Sequence, residues 1–213
     1  LPLNLLGHLN LLCAVNEQTG LMDFTTLNPQ VLEDISRAKE LADIVIVCPH
    51  WGTEYSSKAS SYQKKWAEAM TEAGADVIIG THPHVVEPVE WITAENGNEA
   101  LCYYSLGNYV SSQKKAISML EALAWVTFHV TEDDITIDRE HTGALPLVCQ
   151  YTAGPVRFQN VYLLEDYTED LAASHGIRNY GGVTLRLEDL QKWSTEVLGD
   201  FVLTKDQVLH NLK

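Results

Sequence analysis

The stretch "GTHPHVVEPVE", residues 80–90, places two histidines on either side of a proline. In extended backbone, residues i and i+2 point the same way. The intervening proline narrows the backbone freedom that could undo this. His82 and His84 thus offer two neutral imidazoles on one side, a donor set that suits zinc, manganese or iron. A third histidine, His50, stands in "CPHWGTEY" together with Glu54. Glu54 is either a partner that orients a ligand histidine or a solvated loop carboxylate. Asn108 in "YSLGNY" is either a site residue or plain turn chemistry after a glycine.

These loops need elements to bring them together, and the sequence supplies such elements. "DIVIV", Asp43–Val47, is short, apolar and β-branched, and it runs into the His50 loop. "ADVIIG" has the same character and runs into "THPH". Such runs are typical of buried parallel strands. Between them, "SSYQKKWAEAMTEAG" predicts a helix capped by Ser60 or Ser61. Tyr62, Trp66, Ala69, Met70 and Ala73 form its core face, and Gly74 stops it. Strand, helix and strand make a right-handed βαβ unit. Its two carboxyl strand ends share one sheet edge, where open parallel sheets collect ligands. The three histidines are therefore expected to meet in one pocket.

Upstream, Asn28 and Pro29 open another helix, with Val31, Leu32, Ile35 and Ala38 as its apolar stripe. Downstream the character changes to antiparallel. "VVEPVEWI" and "ALCYYSLGNYV" read as a hairpin about "ENGNE". "EALAWVTFHV" and "ITIDREHTGALPLV" read as a second pair about "TEDD". "QNVYLLEDY" is strand or loop, and "LEDLQKWSTEVL" a short helix. The fold class is α/β, mixed with an antiparallel part.

The chain has 213 residues, 46% of them hydrophobic, and a formal net charge of -15. That length suits one globular domain with a sizeable core. The negative charge argues against nucleic acid or anionic membrane as a main partner. It also requires a metal or a local cationic patch before an anionic substrate can approach. No run is long enough to cross a bilayer. The four cysteines, Cys13, Cys48, Cys102 and Cys149, form no CxxC pair. They are expected to be buried thiols, Cys48 and Cys102 above all because they lie in apolar runs. His8, His129, His141, His175 and His210 have no partner in pattern and are assigned to structure or surface. The lysine pairs beginning at Lys64 and Lys114 are assigned to solvated surface.

Histidines alone do not complete a two-metal hydrolase, which needs bridging carboxylates. No DxH, GDxxD or GNHD occurs in the chain, and Asp43 and Asp76 sit at strand starts, the wrong end.

In order and spacing, HWGTEY, GTHPHVVEPVE and SLGN resemble the motifs of CapA-type poly-γ-glutamate capsule biosynthesis proteins. That family has the calcineurin-like metallophosphoesterase fold. The resemblance runs from about Asn28 to Gln113 and is traceable to "LLEDY". It implies a layered α/β sandwich with His50, His82 and His84 as late-motif metal ligands. By the same resemblance His50 and Glu54 take catalytic roles, and Glu90 and Asn108 occupy other pocket positions. The implied cofactor is a divalent metal (Mn, Fe or Zn) in a hydrolase-type pocket. The alternative is a non-catalytic subunit that handles the polymer and keeps the fold.

The early family motifs, a Gly-Asp strand end and an Asn-His pair, are missing, so the chain resembles the C-terminal portion of a member. Residues 1–150 would belong to that domain, and 151–213 would be its C-terminal extension. The metal site is expected to be incomplete in this chain, and the chain alone inactive. Expected partners are the missing N-terminal segment or a second copy, together with the capsule polymer or its synthesis complex. The expected location is the extracellular face of the cell membrane, reached through an upstream tether.

Overall fold

The computed structural model describes residues 12–16, 18–152 and 159–210. The "LPLN" start and His8 lie outside the described residues. The fold is α/β. It opens with a short hairpin, β1 (Cys13–Val15) and β2 (Met22–Leu27), that the sequence did not signal. Helix α1 (Pro29–Lys39) follows, with the Asn28 side chain accepting from the Gln30 N–H as its cap.

The expected βαβ unit is present. Strand β3 (Ile46–Val47) runs parallel to β4 (Val77–Ile79), and α2 (Ser61–Glu72) connects them. Ser60 caps α2 through a reciprocal pair of bonds. Its hydroxyl accepts from the Gln63 N–H, and the Gln63 side chain accepts from the Ser60 N–H. Gly74, with φ +111°, takes the chain out of the helix. Strand β3 is shorter than the apolar run suggested. At Val45 the Asp76 carboxylate accepts the backbone N–H at 2.7 Å, so a side chain does what a strand partner would do.

Next come β5 (Val89–Thr93) and β6 (Glu99–Tyr103), an antiparallel hairpin as expected. They do not form a separate antiparallel half, however. Strand β6 lies parallel to β4, which gives one four-stranded sheet of order β3-β4-β6-β5. The second expected pair is divided. Strand β7 (Leu120–Trp125) pairs with β10 (Gly143–Tyr151), while β8 (Phe128–Val130) and β9 (Ile135–Ile137) form their own ribbon. Strand β11 (Gln159–Leu163) completes a three-stranded sheet of order β11-β10-β7. Three helices end the described chain: α3 (Glu169–Ser174), α4 (Leu187–Leu198) and α5 (Lys205–His210).

Alternation along the central strands divides the core into two layers. Val77, Leu101 and Tyr103 face a core shared with Leu120, Ala144 and Val148 of the second sheet and Leu190 of α4. Ile78, Ala100 and Cys102 face the other way, onto Ile35 of α1 and Trp66 and Met70 of α2. The order is therefore helices, sheet, sheet, helices. Residues after 151, such as Leu164, Tyr167 and Leu185, share the first of these cores.

The outer side of β3 has no strand partner among the described residues. Ile46 there is 52% exposed. An apolar trough of about 510 Å³, lined by Val31, Ile35, Ile46 and Val47 among others, runs along this edge and reaches His50. Cys48 corrects an expectation: it is exposed, because it follows an edge strand rather than a central one. Cys13, Cys102 and Cys149 are buried, and all four thiols are free.

Candidate functional site

Two loops leave the carboxyl ends of β3 and β4 side by side. The link between them continues the sheet. His50 and Thr81 form a parallel bridge, the Trp51 N–H donates to Thr81 O at 3.0 Å, and the Thr81 N–H donates to Pro49 O at 3.0 Å. The buried Trp51 indole donates to Tyr104 O at 2.9 Å and locks the first loop onto β6. Gly80 is required where these segments cross. A Cβ there would stand 2.0 Å from Tyr104 O and 2.3 Å from the Trp51 Nε1.

His50, His82 and His84 come together as expected. The ring centroids of His50 and His82 are 4.7 Å apart, and those of His82 and His84 are 6.2 Å apart. Burial, and then the neighbouring His82 and His84, hold His50 below the ordinary imidazole range.

The hydrogen bonds fix which ring nitrogen is free. Asn108 donates its amide N–H to His84 O at 3.0 Å, so its Oδ1, 2.6 Å from His84 Nδ1, is the acceptor. His84 therefore carries its proton on Nδ1 and presents an Nε2 lone pair. The Thr81 hydroxyl donates to Pro49 O, so it accepts from His50 Nδ1 at 3.2 Å. His50 likewise presents Nε2. Asn108, which sequence left open between site and turn, is thus a residue that orients His84. Glu54 lies with Oε1 4.0 Å from His84 Nε2, beside the cluster and largely exposed. Glu90 stands elsewhere: on β5, it takes Lys64 at 2.8 Å and the Tyr104 hydroxyl at 3.2 Å. Lys64 is accordingly an ion-pair partner rather than plain solvated surface.

Among the described residues four non-glycine positions hold a positive φ: Tyr55 (64°), His82 (108°) and His84 (60°) in these loops, and Tyr109 (63°) in the loop after β6. Each costs roughly 1–3 kcal/mol, which packing elsewhere must offset. Ties between the loops hold the strained backbone in place. The Tyr55 N–H donates to Pro83 O at 2.7 Å, the Ser105 hydroxyl donates to Val85 O at 2.8 Å, and the Tyr55 hydroxyl donates to Gln113 Oε1 at 2.9 Å.

Two buried carboxyls flank this frame, and neither was singled out from sequence. Glu87, 1% exposed, accepts from Gln63 Nε2 at 2.7 Å; burial raises it to about 7, and that bond opposes the rise. Glu121, fully buried on β7, lies next to the Asn108 backbone N–H, yet neither of its oxygens completes a hydrogen bond among the described residues. Burial raises it to about 8. A signal was present for Glu121: it is the one charge in the apolar run "SMLEALAWV".

Among the described residues, the histidines outside this cluster are structural or surface residues. His175 is buried, caps a turn by accepting from the Ile177 N–H, and bonds Cys149 O; His141 pairs with Asp138.

Among the described residues, no three His, Cys, Asp or Glu side chains stand in a geometry that would hold an ion. Among the described residues, the carboxylate that stands beside the imidazoles is Glu54.

Comparison with known proteins returns one consistent neighbourhood. The family described as "Bacterial capsule synthesis protein PGA_cap" matches residues 13–113, which include every residue placed in the pocket. A "PGA biosynthesis protein CapA" from Bacillus subtilis (strain 168) is 49% identical over 79 residues, 37% of this chain and 20% of that protein. A "Capsule biosynthesis protein CapA" from Bacillus anthracis is 38% identical over 129 residues, 58% of this chain and 29% of that protein. The aligned stretch thus spans less than a third of the length of either relative.

Proposed function

We propose that this chain, whose residues 13–113 match the bacterial capsule synthesis family, supplies the histidine part of a metal-dependent, hydrolase-type pocket in a protein of poly-γ-glutamate capsule biosynthesis. The observation that carries this reading is the convergence of His50, His82 and His84 on adjacent parallel strand ends, with Nε2 of His50 and of His84 left free. Free imidazole nitrogens on a strained, over-determined frame are a costly arrangement with no structural task of their own. Carboxylates from outside the described residues would be needed to complete a metal pair. Their natural approach is along the open β3 edge, through the apolar trough that reaches His50. A preceding segment of the protein, or failing that a second copy, is the proposed occupant. No helix among the described residues is long and apolar enough to cross a membrane. We place the protein at the extracellular face, held by an upstream tether.

A second reading has its own support. Among the described residues the cluster has no carboxylate beside it beyond Glu54, which fits a subunit that handles polymer without cleaving it. Titration with Mn²⁺ and Zn²⁺, elemental analysis and turnover of a generic phosphodiester separate the two. The half-site reading expects weak binding, lost in His82→Ala, and little turnover by this chain alone. Tight binding with robust turnover would show the site to be complete here and overturn it. Absence of any His82-dependent binding would leave the polymer-handling reading.

A further inference from the structure

The chain is strongly acidic, yet beside the histidine pocket Lys115, with its neighbour Lys114, meets no carboxylate among the described residues. Lys39, Lys64, Arg139, Arg186 and Lys205, among others, each meet a carboxylate. Lys114 and Lys115 do not, although both are exposed in a chain of net charge -15. Each lies over a tyrosine ring instead. Lys115 Nζ is 3.5 Å from the Tyr55 ring centroid, and Lys114 Nζ is 4.7 Å from that of Tyr180. A cation over a ring face is held in place without being neutralised. Its charge therefore remains available to an incoming anion.

The location is specific. The Tyr55 ring lies 6.1 Å from that of His84, and its hydroxyl is tied to Gln113 on the lysine loop. Tyr109, 60% exposed, stands on the same loop. The pocket rim is thus basic and aromatic, set in an otherwise acidic protein. In a chain of net negative charge, such a local cationic pair gives an incoming anion a place to approach.

We propose that Lys114 and Lys115, seated on Tyr180 and Tyr55, form a subsite that binds an anionic chain with repeated carboxylates and leads it to the histidine pocket. Two adjacent lysines held over different rings present two separated charges, which suits repeated anions better than a single ion. This deepens the reading above by naming how its polymer is recognised, and it rests on that reading for the polymer's identity. Binding here needs no metal, so the metal titration can fail without affecting this measurement.

The test is fluorescence anisotropy of a labelled γ-linked glutamate oligomer in metal-free, low-salt buffer. The wild-type chain should bind it, and the affinity should weaken as salt rises. The double substitution Lys114→Gln, Lys115→Gln should reduce affinity about tenfold. Double substitution by arginine should restore it. Lys65→Gln, which removes an unpaired lysine on α2, should change little. Inorganic phosphate at equal charge concentration should compete poorly. The proposal is overturned if the wild type does not bind, if the glutamine double variant binds as well as wild type, if Lys65→Gln loses as much, or if phosphate displaces the oligomer fully. Unchanged melting temperatures in the variants confirm that the fold is intact.

Discussion

Asn108 holds His84 through two bonds of opposite sense, and removing them separately measures the frame. Asn108→Ala deletes the acceptor 2.6 Å from His84 Nδ1 and the donor 3.0 Å from His84 O. Each such bond contributes a net of roughly 0.5–1.5 kcal/mol, and a half-buried group left unpaired adds to the loss. A total of about 2 kcal/mol is expected. For a chain of this length that corresponds to a fall of about 4–8 °C in melting temperature. Asn108→Asp keeps an acceptor facing the ring but loses the donor to His84 O, so it should give up only about half as much. The second readout is the tautomer. Nitrogen-15 spectra of wild-type His84 should report a proton on Nδ1. In Asn108→Ala the two tautomers should mix, and in Asn108→Asp the Nδ1 form should persist. An alanine variant as stable as wild type, with His84 still protonated at Nδ1, would refute the claim that Asn108 orients this imidazole.

Gly80→Ala should destabilise by about 3 kcal/mol or more, because its Cβ meets the Tyr104 backbone and the Trp51 indole where nothing flexible can yield; a thermal melt within 2–4 °C of wild type would contradict this. For Glu121 the sign follows from its raised pKa. The unfolded carboxyl ionises near 4.5 and the folded one near 8, so stability is lost progressively as pH rises through that window. Glu121→Gln, which cannot ionise, should match wild type near pH 4 and exceed it by a few kcal/mol at pH 8; a difference independent of pH would exclude a buried neutral acid. Ile46→Lys places a charge on the free β3 edge and should reduce any concentration-dependent association seen by light scattering. Association that persists unchanged would place the contact elsewhere.

The parts legible in sequence are those set by local periodicity. Asn28 and Ser60 as caps, Gly74 as a stop and the β5–β6 hairpin are all written in neighbouring residues, and the structure agrees with each. The convergence of three histidines followed from one topological rule about strand ends. What stayed hidden depends on which strand lies beside which. The parallel pairing of β6 with β4 is a choice between equally apolar partners that periodicity does not encode. The same ignorance misplaced Cys48. An apolar run predicts a buried strand, but among the described residues β3 lies at an edge, and only sheet order reveals an edge. Glu90 was read by its place in a motif, and the structure gives it to Lys64 and Tyr104.

The two sides of the pocket differ in chemistry. On one side His50 reaches an apolar trough along the β3 edge that has no partner among the described residues, the kind of surface that another segment of backbone covers. On the other side His84 meets Glu54, Tyr55 and, across Tyr55, Lys115, a wet and charged surface that no core-forming segment would cover cheaply. If the histidines act together, the two neighbours cannot be the same kind of partner. Protein should close the β3 side, and the polymer should enter from the lysine side. A charged substitution at Ile46 should therefore disturb association and leave oligomer binding alone, while substitutions at Lys114 and Lys115 should do the reverse. A single substitution that abolished both would mean that one surface serves both roles, and the division of the pocket would fail.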